Sequence, residues 1–368
     1  MKILIIQDHL RSGGTERQSV LLANACAASG HAATLLTFRP GGRLASTVAP
    51  DVARPVLQPF DLGLDWFAPR LLARARALEP DVVLCMGRMA NCCAGRLQKA
   101  LPRATVIATM RTGKRLPARF RASLHAVRHI VANSRDARDT LVREHAVPRE
   151  KISVIHNSLV FPAQASGAAA ASARSLLRSE HHATPATTVL LNVAMFRPEK
   201  NQRELIEIAA GLPPSPDWQL WLAGDGPARS ACERLVAARQ LGARVKFLGF
   251  HRDPAPLYGA ADFAVHASWS EALSNFLIEA QAHGLPAVAY EAQGIAECFV
   301  PGRTGWVIPR DDRAAFRAAL AALLSEPPAA REARAAEARA YARATFDPAR
   351  QVSAYLELFT LLTSRTEP

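Results

Sequence analysis

Short continuous apolar runs alternate with longer amphipathic stretches along almost the whole chain. Apolar runs of this kind, bounded by Gly, Pro, Asn or Asp, are typical of strands buried on both faces of a parallel sheet. The longer stretches repeat their apolar residues with a helical period. The alternation therefore predicts successive βαβ units and an α/β fold.

The first half of the chain contains six predicted strands separated by five predicted helices. The strands are expected at 2–7, 32–38, 81–86, 104–109, 129–133 and 152–156. The helices are expected at 15–29, 66–79, 89–100, 117–127 and 136–146. This pattern predicts one doubly wound, Rossmann-like domain.

The second half repeats the alternation with six more strands. These strands are expected at 187–194, 218–223, 245–249, 262–267, 286–290 and 305–308. Helices are expected at 200–211, 228–241, 254–260, 274–284 and 312–325, with mainly helical sequence from 328 and a last helix at 348–364. A second domain of the same class is therefore predicted.

Small, polar and Pro-containing residues interrupt the pattern between the two halves. This composition favours an interdomain linker at 161–186, with a short helix at 169–178. We therefore expect a first domain at 1–160 and a second at 187–347. The length of 368 residues also favours two domains, each with its own core.

The overall composition is that of a soluble globular protein, with 49% hydrophobic and 21% charged residues. No apolar run approaches the ~18 residues of a membrane-spanning helix. The N-terminal sequence is interpreted as a first strand rather than a signal peptide. Six cysteines without CxxC spacing argue against a zinc site or a disulfide framework, so we expect the reducing cytoplasm.

The net charge of +13 departs from this ordinary picture. Only six of the 45 basic residues are lysines, so one interpretation is an arginine- and alanine-rich composition on solvated helix faces. The other is a basic surface for anionic substrates or for peripheral, salt-sensitive contact with an anionic membrane. Nucleic acid is not an expected partner, because aromatic residues are only 6% and do not alternate with basic ones.

Two carboxylates eight residues apart, Glu271 and Glu279, flank a predicted helix start. Ser274 or Asn275 is a suitable N-cap, and the backbone N–H groups of a helix start favour phosphate. Eight helical residues would span about 12 Å, so the carboxylates could hold hydroxyls at the two ends of a sugar nucleotide. The spacing alone is common on solvated helices, and its meaning depends on the surrounding motifs.

Those motifs follow in a fixed order through both halves. They are GGTER at 13–17, VANSRDARDTL at 131–141, VIHNSLV at 154–160, GDGP at 224–227, VKFLGF at 245–250, the glutamate pair, GLP at 284–286, GIAE at 294–297 and GRTG at 302–305. With this set the chain resembles the retaining glycosyltransferases of family 4 over nearly its whole length. The resemblance implies the GT-B architecture, two Rossmann-like domains facing a central cleft. It also implies that the C-terminal helix, about 348–368, packs back on the first domain.

The resemblance also assigns roles around the predicted helix. Glu279 is similar to the carboxylate that binds the ribose hydroxyls, and Glu271 to the one that contacts the transferred sugar. The backbone at Leu273, Ser274 and Asn275 is expected to hold the pyrophosphate.

Other implied donor-side positions lie in separate loops. Lys200, in RPEKNQ, matches the lysine that neutralises the leaving diphosphate, a role that a fixed cation performs without a metal. The family usually has arginine at the position of Met195, so either Arg197 supplies that charge or Lys200 acts alone. Glu297 resembles a further donor-side carboxylate. Gly14 would allow close backbone approach to the donor phosphate or the acceptor.

The loop after the strand at 104–109 departs from the family, because MRTGKR stands where many members have a histidine. Arg111 and Lys114 are candidate contacts for a phosphorylated or lipid-linked acceptor, although a solvated basic loop is an equally good interpretation. The family's NG pair in the hinge is replaced by Asn157 and Ser158.

The resemblance implies a retaining, metal-independent hexosyltransferase that needs no enzymic nucleophile and no cofactor, with a UDP- or GDP-sugar donor. The acceptor would be a glycan or a lipid-linked glycan in envelope, lipopolysaccharide or exopolysaccharide biosynthesis at the cytoplasmic face of the membrane. Two alternatives remain open at this point. One is a sugar-nucleotide 2-epimerase with the same two-domain fold. The other is a non-catalytic sugar-nucleotide-binding protein, if Met195 disables the site.

Overall fold

The computed structural model describes residues 1–11, 13–159, 161 and 167–364. The chain forms two compact units, Met1–Ser158 together with the segment from Pro348, and Leu159–Asp347. Three parts of the sequence predictions lie outside the described residues. They are the last residue of the 154–160 motif, residues 162–166 of the predicted linker, and residues 365–368 of the predicted C-terminal segment.

Within the described residues, twelve strands form two parallel six-stranded sheets. In chain order they are β1 (Lys2–Gln7), β2 (Ala32–Thr37), β3 (Val82–Cys85), β4 (Thr105–Met110), β5 (His129–Ala132), β6 (Ile152–Val154), β7 (Thr188–Val193), β8 (Trp218–Ala223), β9 (Val245–Gly249), β10 (Phe263–His266), β11 (Ala287–Tyr290) and β12 (Gly305–Ile308). The first unit has the order β2-β1-β3-β4-β5-β6 and the second the order β12-β11-β10-β7-β8-β9.

Helices connect the strands within each unit. They are α1 (Gly14–Ala28), α2 (Leu71–Leu78), α3 (Arg88–Ala100), α4 (Ala118–Ala126), α5 (Arg135–His145), α6 (Gly167–Glu180), α7 (Gln202–Ala209), α8 (Arg229–Ala238), α9 (Ala255–Ala260), α10 (Asn275–Ala282), α11 (Arg313–Leu324), α12 (Pro328–Thr345) and α13 (Pro348–Ser364). Within the described ranges, no helix is both long enough and apolar enough to cross a membrane.

The sheet of the first unit is covered on both faces, as its continuous apolar strands require. Successive side chains of β1 point to opposite faces. Ile5 belongs to the buried cluster that contains Tyr355 and Phe359 of α13. Ile6 belongs to the cluster on the other face, with Phe120 of α4. The last helix of the chain therefore forms part of the core of the first unit.

A buried polar network joins α1, α13 and the end of the first stretch of chain. The Gln18 amide donates to the carbonyl of Ser158 at 2.7 Å, and the Ser158 hydroxyl donates to Gln351 at 2.7 Å. The Gln351 amide donates to the carbonyl of His156 at 2.7 Å. Buried polar groups are costly without partners, so these bonds fix the position of α13 in the first unit.

The second unit follows the same plan around β7. Val189 and Leu191 share a buried cluster with Leu277 of α10, whereas Leu190 belongs to the cluster on the opposite face with Leu205 of α7. The chain adds β8 and β9 on one side of β7, and then returns to place β10 on the other side. This reversal of strand order is the position where open α/β sheets bind ligands.

Each strand predicted from the sequence overlaps an observed one, but two other segments differ from the predictions. The helix predicted at 66–79 begins only at Leu71, because Arg70 has a left-handed backbone with φ of 56°. The segment predicted as a linker contains α6, which packs on α9. Buried Arg178 of α6 donates to the carbonyl of Ala260 at 3.0 Å and pairs with Asp262. Residues 167–186 are therefore part of the second unit.

Candidate active site

The candidate site lies at the carboxyl ends of β7 and β10, which are neighbours in the second sheet. The two strands pair in parallel, with Phe263 opposite Leu190. The loops that follow them, 194–201 and 267–274, therefore start side by side at the point where the strand order reverses. These two loops carry most of the donor-side residues predicted from the sequence.

Glu199 ties the two loops together through its backbone carbonyl. The Ser268 hydroxyl donates to this oxygen at 2.9 Å and the Trp269 N–H at 3.2 Å. The contact places the short 3₁₀ helix Pro198–Lys200 against the loop after β10. Lys200 Nζ then reaches Glu271 Oε1 at 2.5 Å, across a sequence separation of 71 residues.

Two glycines of the GDGP turn support the 194–201 loop from the side of β8. Gly224 and Gly226 have φ of 137° and 150°, where residues with a side chain are strained. A Cβ at Gly224 would also overlap the carbonyl oxygen of Ala194, and one at Gly226 that of Phe196. Only glycine allows the turn to approach this closely, so the GDGP motif fixes the loop that carries Lys200.

Glu271 is a buried carboxylate with two donors on one oxygen. Oε1 accepts from Lys200 and from His266 Nε2, the latter at 3.0 Å. Burial by itself would raise the pKa of Glu271, but the Lys200 charge and the His266 hydrogen bond outweigh it and lower the pKa to about 2. The carboxylate is therefore ionised at neutral pH.

The N-terminus of α10 follows directly. Ser274 is the N-cap, and its side chain accepts from the Leu277 N–H at 3.5 Å. Cys298 lies against this cap, with Sγ 3.8 Å from the Ser274 carbonyl oxygen, so the GIAE turn with Glu297 is placed beside the helix start. The positive end of α10 therefore faces the same edge as Glu271 and favours an anionic group.

Glu279 lies in the second turn of α10 and is half-buried. The Tyr258 hydroxyl donates to its Oε2 at 2.7 Å, and the Tyr258 ring stacks on His283 with centroids 4.9 Å apart. These contacts orient the carboxylate. The sequence-based estimate of about 12 Å between the two carboxylates assumed that all the residues between them are helical. This assumption was wrong, because residues 271–274 precede α10.

Met195 and Arg197 lie on the same loop as Lys200, and both side chains are exposed. The Arg197 N–H donates to the Met195 carbonyl at 2.9 Å, which forms a tight turn just before the 3₁₀ helix. The backbone of Leu273 and Asn275 flanks the Ser274 cap. The second unit thus brings the predicted donor-side residues onto a few adjoining loops, Gly14 excepted.

Gly14, Arg111 and Lys114 lie in the first unit. Gly14 is the first residue of α1, and Lys114 is exposed in the loop after β4. Arg111 has a structural role, because its guanidinium donates to Asn157 at 2.6 Å and to the hydroxyl of Tyr355 at 2.7 Å. The sequence suggested a candidate acceptor contact at Arg111, but this side chain connects the loop after β4 to α13.

Two residues at strand ends escaped the sequence predictions. His266 is the last residue of β10; it is buried, and its Nδ1 has no partner among the described residues. Asp8 follows β1 at the strand-order reversal of the first sheet, and accepts from the N–H groups of Met89 and Ala90 at the start of α3. Burial raises the pKa of Asp8 to about 6. One sequence signal could have identified both residues: each is polar and stands at the end of an apolar strand or directly after it.

Metal-binding side chains are not grouped in the described part of the chain. None of its clusters of His, Cys, Asp or Glu has three or more members placed to hold an ion.

Two protein-family models match the chain. The model described as glycosyl transferases group 1 matches residues 174–343, within the second unit. The model described as Glycosyltransferase Family 4 matches residues 12–159, which is nearly all of the first stretch of chain.

Curated proteins with similar sequences include two glycosyltransferases. The lipopolysaccharide core biosynthesis glycosyltransferase LpsE of Rhizobium meliloti is 31% identical over 144 residues, which is 39% of this chain and 42% of the relative. The alpha-D-kanosaminyltransferase of Streptomyces kanamyceticus is 30% identical over 212 residues, which is 56% of this chain and 54% of the relative. The chain thus spans about half the length of these curated relatives.

Solved structures resemble the chain over almost its whole length. Anabaena HepE in complex with UDP superimposes with a TM-score of 0.82 at 20% identity, covering 98% of this chain and 100% of that one. HepE in complex with UDP-glucose gives a TM-score of 0.79 at 21% identity, covering 98% and 99%. At this identity the likeness establishes a shared fold.

Proposed function

Because the chain belongs to the family 4 glycosyltransferases of group 1 and has the GT-B fold, we propose that it transfers a hexose-type sugar from a nucleotide-sugar donor. The acceptor is a glycan or a lipid-linked glycan. The names of LpsE and of an exopolysaccharide phosphotransferase among the relatives support a place in lipopolysaccharide or exopolysaccharide biosynthesis.

The observation that carries this proposal is the ion pair between Lys200 and Glu271 beside the capped start of α10. Departure of a sugar from a nucleotide leaves negative charge on the diphosphate. A lysine and a helix N-terminus at the same edge stabilise that charge without reorganising. Glu271, held ionised, can accept hydrogen bonds from hydroxyls of the transferred sugar, and Glu279 can bind the ribose.

We assign the donor to the UDP- or GDP-sugars. The UDP and UDP-glucose complexes of HepE favour uridine, since the two proteins have the same fold. Lys200 supplies the positive charge at the diphosphate, so the reaction proceeds without a resident metal ion or cofactor. The acceptor hydroxyl attacks on the face from which the diphosphate leaves, with retention at the anomeric carbon, and the leaving phosphate oxygen takes its proton.

A second candidate function is supported by one specific feature. Met195 is exposed on the donor-side loop at the position where the family usually has arginine. If Arg197 does not replace that charge, the site binds sugar nucleotides without transferring the sugar.

The test combines donor binding with transfer. A thermal-shift panel of UDP-, GDP- and ADP-sugars is expected to give a shift with one nucleotide, and that shift should be lost in Glu279→Ala. Product analysis with that donor should show transfer to water or acceptor. Lys200→Ala and Glu271→Gln should each lower transfer about 10²–10³-fold, as expected for loss of one preorganised charge contact. Full activity with EDTA present would support metal independence.

Lys99→Ala provides the matched control, because Lys99 is an exposed lysine in the last turn of α3. It should keep wild-type transfer. Wild-type turnover in Lys200→Ala or Glu271→Gln would contradict the site. A clear donor shift without any hydrolysis or transfer would favour the non-catalytic function.

A further inference from the structure

The loop at 56–67 of the first unit exposes an unusual number of apolar side chains. Ten large hydrophobic residues are exposed among the described residues, and five of them lie in these twelve positions. The five are Val56, Phe60, Leu62, Leu64 and Trp66. Phe60 and Trp66 are 65% and 62% exposed, so neither side chain is packed into the core of the first unit. Exposed apolar side chains concentrated in one loop in this way indicate an interaction site.

The base of the 56–67 loop is fixed to the sheet. The N–H groups of Leu57 and Gln58 donate to the carbonyls of Thr37 and Phe38 at 3.0 and 2.9 Å, so the chain runs beside the end of β2. The buried Gln58 amide then donates to the carbonyls of Leu64 and Phe67 at 2.8 and 2.7 Å. One side chain thus closes the loop across its base.

Ion pairs hold the tip. Arg39 makes a bidentate contact with Asp61, at 2.7 and 2.9 Å, and a further bond to Asp65 at 2.7 Å. Arg11 donates to both oxygens of Asp65 at 2.6 and 2.7 Å. The hydrogen bonds from Arg39 lower the pKa of Asp61, so the pairs stay charged at neutral pH. The two charged side chains of the loop are therefore paired with Arg11 and Arg39, whereas the five apolar side chains named above remain exposed.

The surroundings of the loop are basic. Arg11 follows β1 and Arg39 follows β2, so the loop is held at the carboxyl edge of the first sheet. The loop after β4, with Lys114, starts from the same edge. Exposed Arg70 and Arg74 follow Trp66 within eight residues. Arg76 is exposed too, but it donates to the carbonyl of Ala100 at the end of α3. The two charges of the loop itself, Asp61 and Asp65, are both negative and are offset by Arg11 and Arg39.

We propose that the 56–67 loop inserts its exposed apolar side chains into the interfacial region of an anionic phospholipid bilayer, while Arg70 and Arg74 contact the head groups. A tryptophan and a phenylalanine beside aliphatic residues and a basic flank are the chemistry that this interface selects. The inference rests on the proposed function, since a loop inserted at this edge brings a lipid-linked acceptor to the loop after β4.

The test measures binding of the full chain to vesicles of phosphatidylcholine with phosphatidylglycerol, and to vesicles of phosphatidylcholine alone. The double variant Phe60→Ser/Trp66→Ser should bind the anionic vesicles roughly tenfold more weakly than wild type, because it loses the inserted apolar area. Leu176→Ser is the matched control, since Leu176 is 64% exposed on α6 of the second unit. It should bind like wild type. High salt should weaken wild-type binding without abolishing it.

Trp66 supplies a direct readout of insertion that does not depend on that variant. Its emission should shift to shorter wavelength on vesicles and be quenched by brominated acyl chains. Trp66→Phe should lose this signal yet keep binding. Equal binding by the double variant and wild type, or an unquenched Trp66, would overturn the proposal. So would a wild-type dimer that the double variant converts to a monomer, because the loop would then pack on a second copy.

The donor-binding panel keeps the two proposals separate. Wild type and the double variant should show the same thermal shift with the donor. If wild type shows no shift with any donor, the proposed function is contradicted, whereas the result of the vesicle experiment is unaffected.

Discussion

At the residue scale, the candidate site depends on the Glu271 carboxylate, which accepts hydrogen bonds from two side chains. Glu271 uses Oε1 for both Lys200 and His266, and neither of these contacts involves Oε2. His266 is buried, so its hydrogen bond can orient the carboxylate from inside the fold. We assign His266 a positioning role that acts through Glu271.

His266→Ala should lower kcat of sugar transfer about tenfold to a hundredfold, the effect of one hydrogen bond to a charged group. The low pKa of Glu271, about 2, means that its carboxylate stays charged until the pH falls well below its ordinary value of 4.5. Losing one donor raises that pKa, so the acid limb of the rate should move to higher pH. A pH–rate profile of the variant and wild type measures both effects.

His266→Gln is the conservative control, because its amide can donate to the same oxygen. It should recover part of the rate and return the acid limb toward wild type. An unchanged pH profile in His266→Ala would indicate that the histidine only fills space in the core.

The sequence pointed to several residues that the fold brings close together, but not to the contacts between them. Glu271, Glu279, Lys200 and the Ser274 cap lie on adjoining elements of the second unit. His266 was not identified, because a histidine at the end of an apolar strand is indistinguishable from a core residue without its neighbours. The structural role of Arg111 was equally invisible, since Tyr355 lies 244 positions away.

At the element scale, the GDGP turn is the part that fixes the donor-side loop. Gly224→Ala should destabilise the second unit by about 3 kcal/mol or more, because a left-handed backbone and overlap with the Ala194 carbonyl act together. The same variant should weaken donor binding, since the loop with Lys200 must move. Urea unfolding and a thermal-shift titration measure the two effects.

Gly242→Ala is the matched control, because a Cβ at Gly242 meets no atom within 4 Å. Its stability should stay close to that of wild type. A Gly224→Ala variant with unchanged stability and unchanged donor affinity would show that the turn has room to relax.

Elements with a clear pattern of apolar residues could be predicted from the sequence. Features that depend on a single residue could not. All six strands of each sheet followed from apolar runs. The start of α2 depended on the backbone of Arg70, which has no sequence signature. The small, alanine-rich residues of α6 are compatible with a linker, and only the buried contacts of Arg178 show that this helix belongs to the second unit.

At the scale of the whole molecule, the first unit is built from two separate pieces of chain. Phe359→Ala should lower its free energy of unfolding by about 3–5 kcal/mol, because Phe359 is fully buried with Ile5 and Tyr355. None of these three residues belongs to the second unit, so the stability of the second unit should not change. Unfolding followed with limited proteolysis and mass spectrometry can distinguish cleavage in the two units.

Leu361→Ala is the control on the same helix, since Leu361 is 48% exposed. It should change stability by less than about 0.5 kcal/mol. Equal protection of the first unit in Phe359→Ala and wild type would contradict the role of α13 in its core.

The division of the first unit also affects the order in which the protein can fold during synthesis. Domains generally fold as units, the N-terminal one first as the ribosome delivers it. Here the N-terminal sheet lacks Gln351, Tyr355 and Phe359 until the last helix emerges. Until then, the face of β1 that carries Ile5 is covered only in part, by α1. The second unit is one continuous stretch and is complete earlier. We therefore expect the nascent chain to finish its second unit first, with the apolar face of the first awaiting α13 or a chaperone.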